Sequence, residues 1–95
     1  MDRRIAHLIL GTRGGLNRGR ILSLLRGGPR NANAIAGELG LDYKTVRHHL
    51  QVLLENDLAM SVGGQADYGT LYALSPRLQM HYDEFEIVWK KLGEK

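Results

Sequence analysis

Residues 31–54 constrain the fold of this chain more tightly than any other stretch. Asn31 offers a side-chain oxygen to the free N–H groups of a following helix. Ala32, Ile35, Ala36 and Leu39 then recur at helical spacing along one face. Gly40 ends that helix and Leu41 plugs back into the core. Asp42 caps the next helix, where an acid also suits the positive end of the helix dipole. From Tyr43 to Asn56 the spacing predicts a second helix, with Val46, Leu50, Leu53 and Leu54 as its buried stripe. The first helix carries the small residues Ala34, Ala36 and Gly37, so the second can cross it closely.

Two helices crossing over the tight turn Gly40-Leu41-Asp42 have the geometry of a helix-turn-helix, whose second helix enters a DNA major groove. With Val46 at the centre of the buried side and about 100° per residue, Lys44, His48 and Gln51 point outward. Thr45 and Arg47 lie on the flanks and Tyr43 at the start. This face is rich in donors and holds no acid before Glu55. Arginine reads guanine O6 and N7, glutamine reads adenine, and threonine meets a thymine methyl or a phosphate. His49 sits at the edge of the apolar stripe, placed either to touch a phosphate or to hydrogen-bond the preceding helix. Adjacent helical residues point about 100° apart, so His48 and His49 make a poor metal pair.

Upstream, within residues 1–10, Ile5, Leu8 and Ile9 fit a helical face while Ile5, His7 and Ile9 also fit a strand alternation; a helix is expected, and the run Gly11 to Gly15 breaks the pattern. Leu16 to Arg26 reads as a helix with Ile21, Leu22, Leu24 and Leu25 on its apolar side. Gly27-Gly28-Pro29 stops it. The glycine-rich basic run from Gly11 to Arg20 leads into a helix N-terminus, a favourable place for phosphate. It lacks the Lys-Ser or Lys-Thr ending of a nucleotide-hydrolase loop. Arg13, Arg18 and Arg20 are therefore candidates for the DNA backbone. The alternative is a hinge followed by an exposed cationic helix face.

After Asn56 the period changes. Leu58, Met60 and Val62 alternate with small or polar residues, Gly63 to Gly69 is a turn region, and Leu71, Tyr72 and Leu74 follow. That pattern predicts a two-stranded β-hairpin. Ser75-Pro76 opens a last helix, with serine as cap and proline in the first turn, running to about Leu92. Leu78, Tyr82, Phe85, Trp89 and Leu92 recur in it at spacings of 4, 3, 4 and 3, a heptad seam. A small core does not readily cover Trp89 and Leu92, so the seam is expected to pair with a second copy. The other reading packs this face onto its own domain.

The fold class expected is mainly α with a two-stranded β-hairpin wing, in one domain over residues 1–95. The core spans 16–75 and the C-terminal helix 76–92 is the expected dimer interface. A chain this short buries only about 60–70% of its unfolded surface, which favours help from a second copy. No apolar run approaches the roughly 20 residues of a membrane helix, and no cleavage site follows the N-terminal apolar stretch. The absence of cysteine excludes disulfides and thiolate metal sites and points to a cytoplasmic protein. Net charge is +3, and seven of the nine arginines precede residue 31, so the basic charge is concentrated where a polyanion would be held. No catalytic constellation, metal site or cofactor site is legible.

The stretch NAIAGELGLDYKTVRHHLQVLLENDLAMSVG, continued by GTLYALS, resembles the winged helix-turn-helix regulators of the ArsR-like superfamily, particularly small archaeal members. The resemblance covers about residues 16–75, and TVRHHLQVLLENDL is its most specific part. GTRGGLNRGRI also resembles archaeal proteins of this type. The resemblance implies that Val46 and Leu50 are core, that the helix around Tyr43–Leu53 is the recognition helix, and that the hairpin is the wing. It also implies dimerisation through terminal helices. Two departures stand out. Metal-sensing members use cysteines, which this chain lacks. Wing tips in the family often carry a base, whereas Gly63–Thr70 holds Asp67 and none. Gln65 and Tyr68 are the wing residues left to touch the backbone. The expected function is sequence-specific binding of double-stranded DNA by a dimeric regulator. The alternatives are a winged-helix protein-interaction module and an architectural DNA-binding protein without sequence preference.

Overall fold

The computed structural model describes residues 3–63 and 69–93. In chain order the elements are α1 (Arg3–Leu10), α2 (Gly15–Leu25), β1 (Arg30–Asn31), α3 (Ala32–Leu39) and α4 (Tyr43–Glu55). They continue as β2 (Ala59–Ser61), β3 (Leu71–Leu74), α5 (Pro76–Met80) and α6 (Tyr82–Lys91). This is a winged helix-turn-helix, mostly helical with a small antiparallel sheet.

The helix boundaries follow the capping chemistry. Asn31 Oδ1 accepts from Ala34 N at 2.8 Å, Asp42 Oδ2 from Thr45 N at 3.2 Å, and Ser75 Oγ from Leu78 N at 3.0 Å. Each cap satisfies an N–H that the helix itself leaves free. Gly40, at φ 67°, takes the left-handed conformation that ends α3 and turns the chain towards α4. The N-terminal stretch is helical, with Ile5, Leu8 and Ile9 buried as their spacing requires.

One contiguous core joins all the helices. Ile21 and Leu22 of α2, Ile35 of α3, Val46, Leu50 and Leu53 of α4, and Phe85 and Val88 of α6 are fully enclosed. Each contributes on the order of 1.5–3 kcal/mol of apolar burial. α2 runs through the middle because its glycines allow close approach. A methyl on Gly15 would lie 2.0 Å from the carbonyl oxygen of Ile9, and one on Gly19 would lie 2.0 Å from Cζ3 of Trp89. Glycine is required at both positions by α1 and α6 respectively.

Three sequence expectations change. Among the described residues the sheet has three strands in the order β1-β3-β2, because Arg30 and Asn31 pair with Tyr72 and Leu71 before α3 begins. A two-residue strand is too short to carry a periodicity signal. In β2 the alternation from Leu58 to Val62 is not the burial pattern. Leu58 and Ala59 are buried, Met60 is half-buried and Val62 is exposed. The helix expected over 76–92 is broken at His81, whose φ of −120° and ψ of 28° lie outside the helical range. The break re-aims the chain, and Tyr82, Phe85, Val88 and Trp89 then turn inward onto the core.

Candidate nucleic-acid interface

The candidate surface is the outer side of α4. Tyr43, Lys44, Arg47, His48 and Gln51 are exposed and Thr45 is half-buried, while Val46, His49, Leu50 and Leu53 face inward. The amphipathic period thus delivers five side chains with hydrogen-bonding groups to one solvent face, four of them from residues that sequence spacing aimed outward or to the flank. Arg47 Nη1 donates to the Tyr43 hydroxyl at 3.1 Å, one helical turn away, and the guanidinium lies over the Tyr43 ring at 5.9 Å from its centroid. That hydrogen bond raises the pKa of Arg47 above its ordinary value and orients the guanidinium. Gln51 Nε2 donates to Glu55 Oε2 at 3.0 Å. The face offers a planar guanidinium, an ammonium, an imidazole and an amide, the donor set that reads base edges and phosphates.

The α1–α2 turn flanks this helix. Gly14 sits at φ 87°, and a methyl there would lie 2.8 Å from Cε1 of His49, so the turn rests directly on α4. Arg13, next to Gly14, is exposed and extends the basic surface beyond α4.

The other two arginines of that run are placed differently from the expectation. Arg18 is 4% exposed. Its Nε donates to the Leu8 carbonyl at 3.1 Å, Nη1 meets His49 Nδ1 at 3.3 Å, and Nη2 donates to the Arg13 carbonyl at 3.2 Å and to Thr12 Oγ1. It is enclosed by the turn and unavailable to a phosphate. Arg20 is half-buried and donates to the Leu39 carbonyl at 2.9 Å and to Asn17 Oδ1 at 3.3 Å, where it braces the C-terminal end of α3. His49 is 6% exposed and is committed to Arg18 rather than to solvent. Neither of its two readings is realised as stated: it meets no solvent-facing site, and its hydrogen bond goes to Arg18 of α2 rather than to the preceding helix α3. The wing residues Gln65 and Tyr68 lie outside the described residues.

The seam assigned to a partner also turns inward. Leu78, Tyr82, Phe85 and Trp89 are at most 8% exposed, and Leu92, at 37%, is the one member of the seam open to solvent. The Phe85 ring stacks on Trp89 at 5.8 Å and tilts against Tyr82 at 5.2 Å, a continuous aromatic column inside the protomer. On α6 the outward apolar residue is Ile87, which the heptad reading passed over.

What sequence reasoning missed is the Arg18–His49 pair. The signals were Gly14-Gly15 just before a helix and a histidine on the apolar side of α4. Among the described residues no group of three or more His, Asp or Glu is placed to hold a metal ion. No described helix is long and apolar enough to cross a membrane. A groove of about 440 Å³ opens between the end of α2 and β3, lined by Arg26, Pro29, Leu74 and Gln79 among others, and α4 contributes nothing to it.

Comparison with known proteins agrees with this geometry. Residues 17–62, from α2 to β2, match the family model described as a helix-turn-helix domain. No curated protein matches the sequence. Among solved structures, the chain is similar to the homodimeric winged helix-turn-helix DNA-binding domain of Mb0332 from Mycobacterium bovis, a possible ArsR-family transcriptional regulator. The TM-score is 0.72 at 22% identity, over 94% of this chain and 79% of that one. RV1404 from Mycobacterium tuberculosis aligns at a TM-score of 0.70 and 17% identity, over 93% of this chain and 60% of that one. The reduced form of the transcriptional regulator YodB from Bacillus subtilis aligns at 0.64 and 22% identity, over 88% and 84%.

Proposed function

We propose that this winged helix-turn-helix chain binds double-stranded DNA as a sequence-specific, dimeric transcription regulator, with α4 in the major groove. The observation that carries the reading is the outer face of α4, where Lys44, Arg47, His48 and Gln51 stand exposed together beside Tyr43. Arg47 and Gln51 serve base edges, Lys44, Thr45 and His48 serve bases or phosphates, and Arg13 holds the backbone from the flanking turn. The similarity to the Mb0332 domain, whose description includes DNA binding and a homodimer, supports both halves of the reading. A dimer places two recognition helices about one helical turn of DNA apart. Its interface uses the outward residues Ile87 of α6 and Leu92 just beyond its end, with Leu10 of the adjoining α1, all exposed in the protomer. Residues 1–95 act as one binding domain, and no enzymatic role is assigned, since the exposed donors converge on a groove-reading surface rather than on a reaction centre.

The test is a fluorescence-anisotropy titration of random-sequence duplex and of duplex from upstream of the gene, each at two salt concentrations. Tighter binding to the upstream duplex that persists at the higher salt is the expected result. Equal, salt-sensitive binding to both indicates an architectural protein that holds DNA through its phosphates. No binding to either at low salt overturns the DNA reading and leaves a protein-interaction module.

A further inference from the structure

Arg18 is a buried cation whose described hydrogen bonds all go to neutral acceptors. It gathers the Leu8 carbonyl from the end of α1, the Arg13 carbonyl and Thr12 hydroxyl from the turn, and His49 Nδ1 from α4. The α1 carbonyl lies at the negative end of that helix's dipole, which favours a cation there. Thr12 Oγ1 also donates to the Leu8 carbonyl at 3.2 Å, so the turn is tied to α1 at two points. The His49 contact is the one that ties this assembly to the helix proposed to read DNA.

An arginine has five donors and no acceptor and stays protonated at any working pH. The 3.3 Å contact between Arg18 Nη1 and His49 Nδ1 therefore requires an unprotonated Nδ1, with the ring proton on Nε2. A second proton on His49 sets donor against donor and cation against cation in an enclosed site. The charged groups facing His49 are Arg18 from α2 and, when protonated, His48 from α4, whose ring centroid lies 5.6 Å away. Burial first, and then both neighbours, push the His49 pKa below its ordinary value.

We propose that the Arg18–His49 hydrogen bond is a proton-sensitive latch that positions α4 against the α1–α2 turn, which makes Arg18 and His49 positioning residues for DNA binding. The inference rests on the DNA reading above. Gly14 gives it mechanical consequence. A methyl on Gly14 would lie 2.8 Å from Cε1 of His49, so the turn passes close beside the ring and is placed to shift, with Arg13, when charge repulsion displaces it. Acidification thus disengages the recognition helix from its flanking basic turn.

The sign of the effect separates this latch from ordinary electrostatics. Acidification adds positive charge to a protein, which by itself strengthens binding to a polyanion. The latch predicts the reverse. Wild-type affinity for duplex DNA, measured by anisotropy at constant ionic strength, falls about threefold to tenfold as pH is lowered from above about 6.5 through the depressed folded pKa of His49. In His49→Gln an amide oxygen can accept from Arg18 without titrating, so affinity rises on acidification. Histidine-ring and amide NMR of the free wild-type protein over the same range supplies a readout without DNA. The His49 ring, the α4 amides and those of Gly11 to Gly15 are expected to shift with one midpoint. Equal acid weakening in wild type and His49→Gln, or a His49 ring that titrates with no response from the turn, overturns the latch while the DNA reading stands. Failure of wild type to bind DNA at any pH overturns the DNA reading and the positioning role with it.

Discussion

Replacing Gly19 by alanine sets two known effects against each other, and the structure decides between them. In an isolated helix the change stabilises by about 0.8–1.0 kcal/mol, since glycine loses more backbone freedom on folding. In this fold the new methyl lies 2.0 Å from Cζ3, 2.4 Å from Cε3 and 2.7 Å from Cη2 of Trp89. Carbon pairs rest at about 3.5–4.0 Å, so the indole has to withdraw by roughly 1.5 Å. Its retreat is resisted by Phe85, stacked on it at 5.8 Å and fully buried. Overpacking of this kind costs about 1–3 kcal/mol, and a rigid aromatic column belongs at the upper end. The expected net loss is about 1–2 kcal/mol, or a fall in Tm of roughly 5–15 °C. Thermal and urea unfolding followed by circular dichroism, at one fixed protein concentration, measures it. Trp89→Leu makes room, so the alanine should cost at least about 1 kcal/mol less in that background. A Gly19→Ala protein that gains stability would show α6 standing off α2, and would return the aromatic seam to a partner subunit.

Three further outcomes are expected. Arg47→Ala leaves stability unchanged, because the side chain is exposed, and lowers DNA affinity by about 1–3 kcal/mol in an anisotropy titration. Ser75→Ala removes a fully buried hydroxyl that caps α5 and donates to the Asp57 carbonyl at 2.7 Å. A loss of about 1–2 kcal/mol in urea unfolding is expected, mostly from the cap. The pH dependence of stability follows from His49. Its pKa is depressed in the folded state, so its neutral form is the one the fold prefers. That contribution is complete above the unfolded value of about 6.5. It is lost as pH falls from there through the folded pKa. Urea midpoints measured across that window should drop on acidification in wild type and drop less in His49→Gln.

The parts of the fold legible in the sequence are those with strong local chemistry. Asn31, Asp42 and Ser75 announce helix starts because each carries its own acceptor, and each makes the expected bond. The outer face of α4 is legible because a long amphipathic helix has one phase. Tertiary demands hide the rest. The heptad spacing from Leu78 to Leu92 is equally compatible with an inner and an outer partner. Nothing local reveals that His81 breaks the helix and that Gly19 makes a slot for Trp89. Arg18 reads as a surface base in sequence because arginine is rarely enclosed. Only the fold supplies the carbonyls of α1 and the turn together with the ring of His49 that make its burial tolerable.

The central claim is that α4 and its flanking turn meet DNA, and amide chemical-shift mapping tests it most directly. A uniformly labelled protein is titrated with a short duplex, and perturbed resonances are placed on the structure. The account predicts that the largest changes fall on Tyr43 to Gln51 and around Arg13, with the enclosed aromatic column of α6 little affected. Changes concentrated on α6, or none at a low salt concentration, would contradict it.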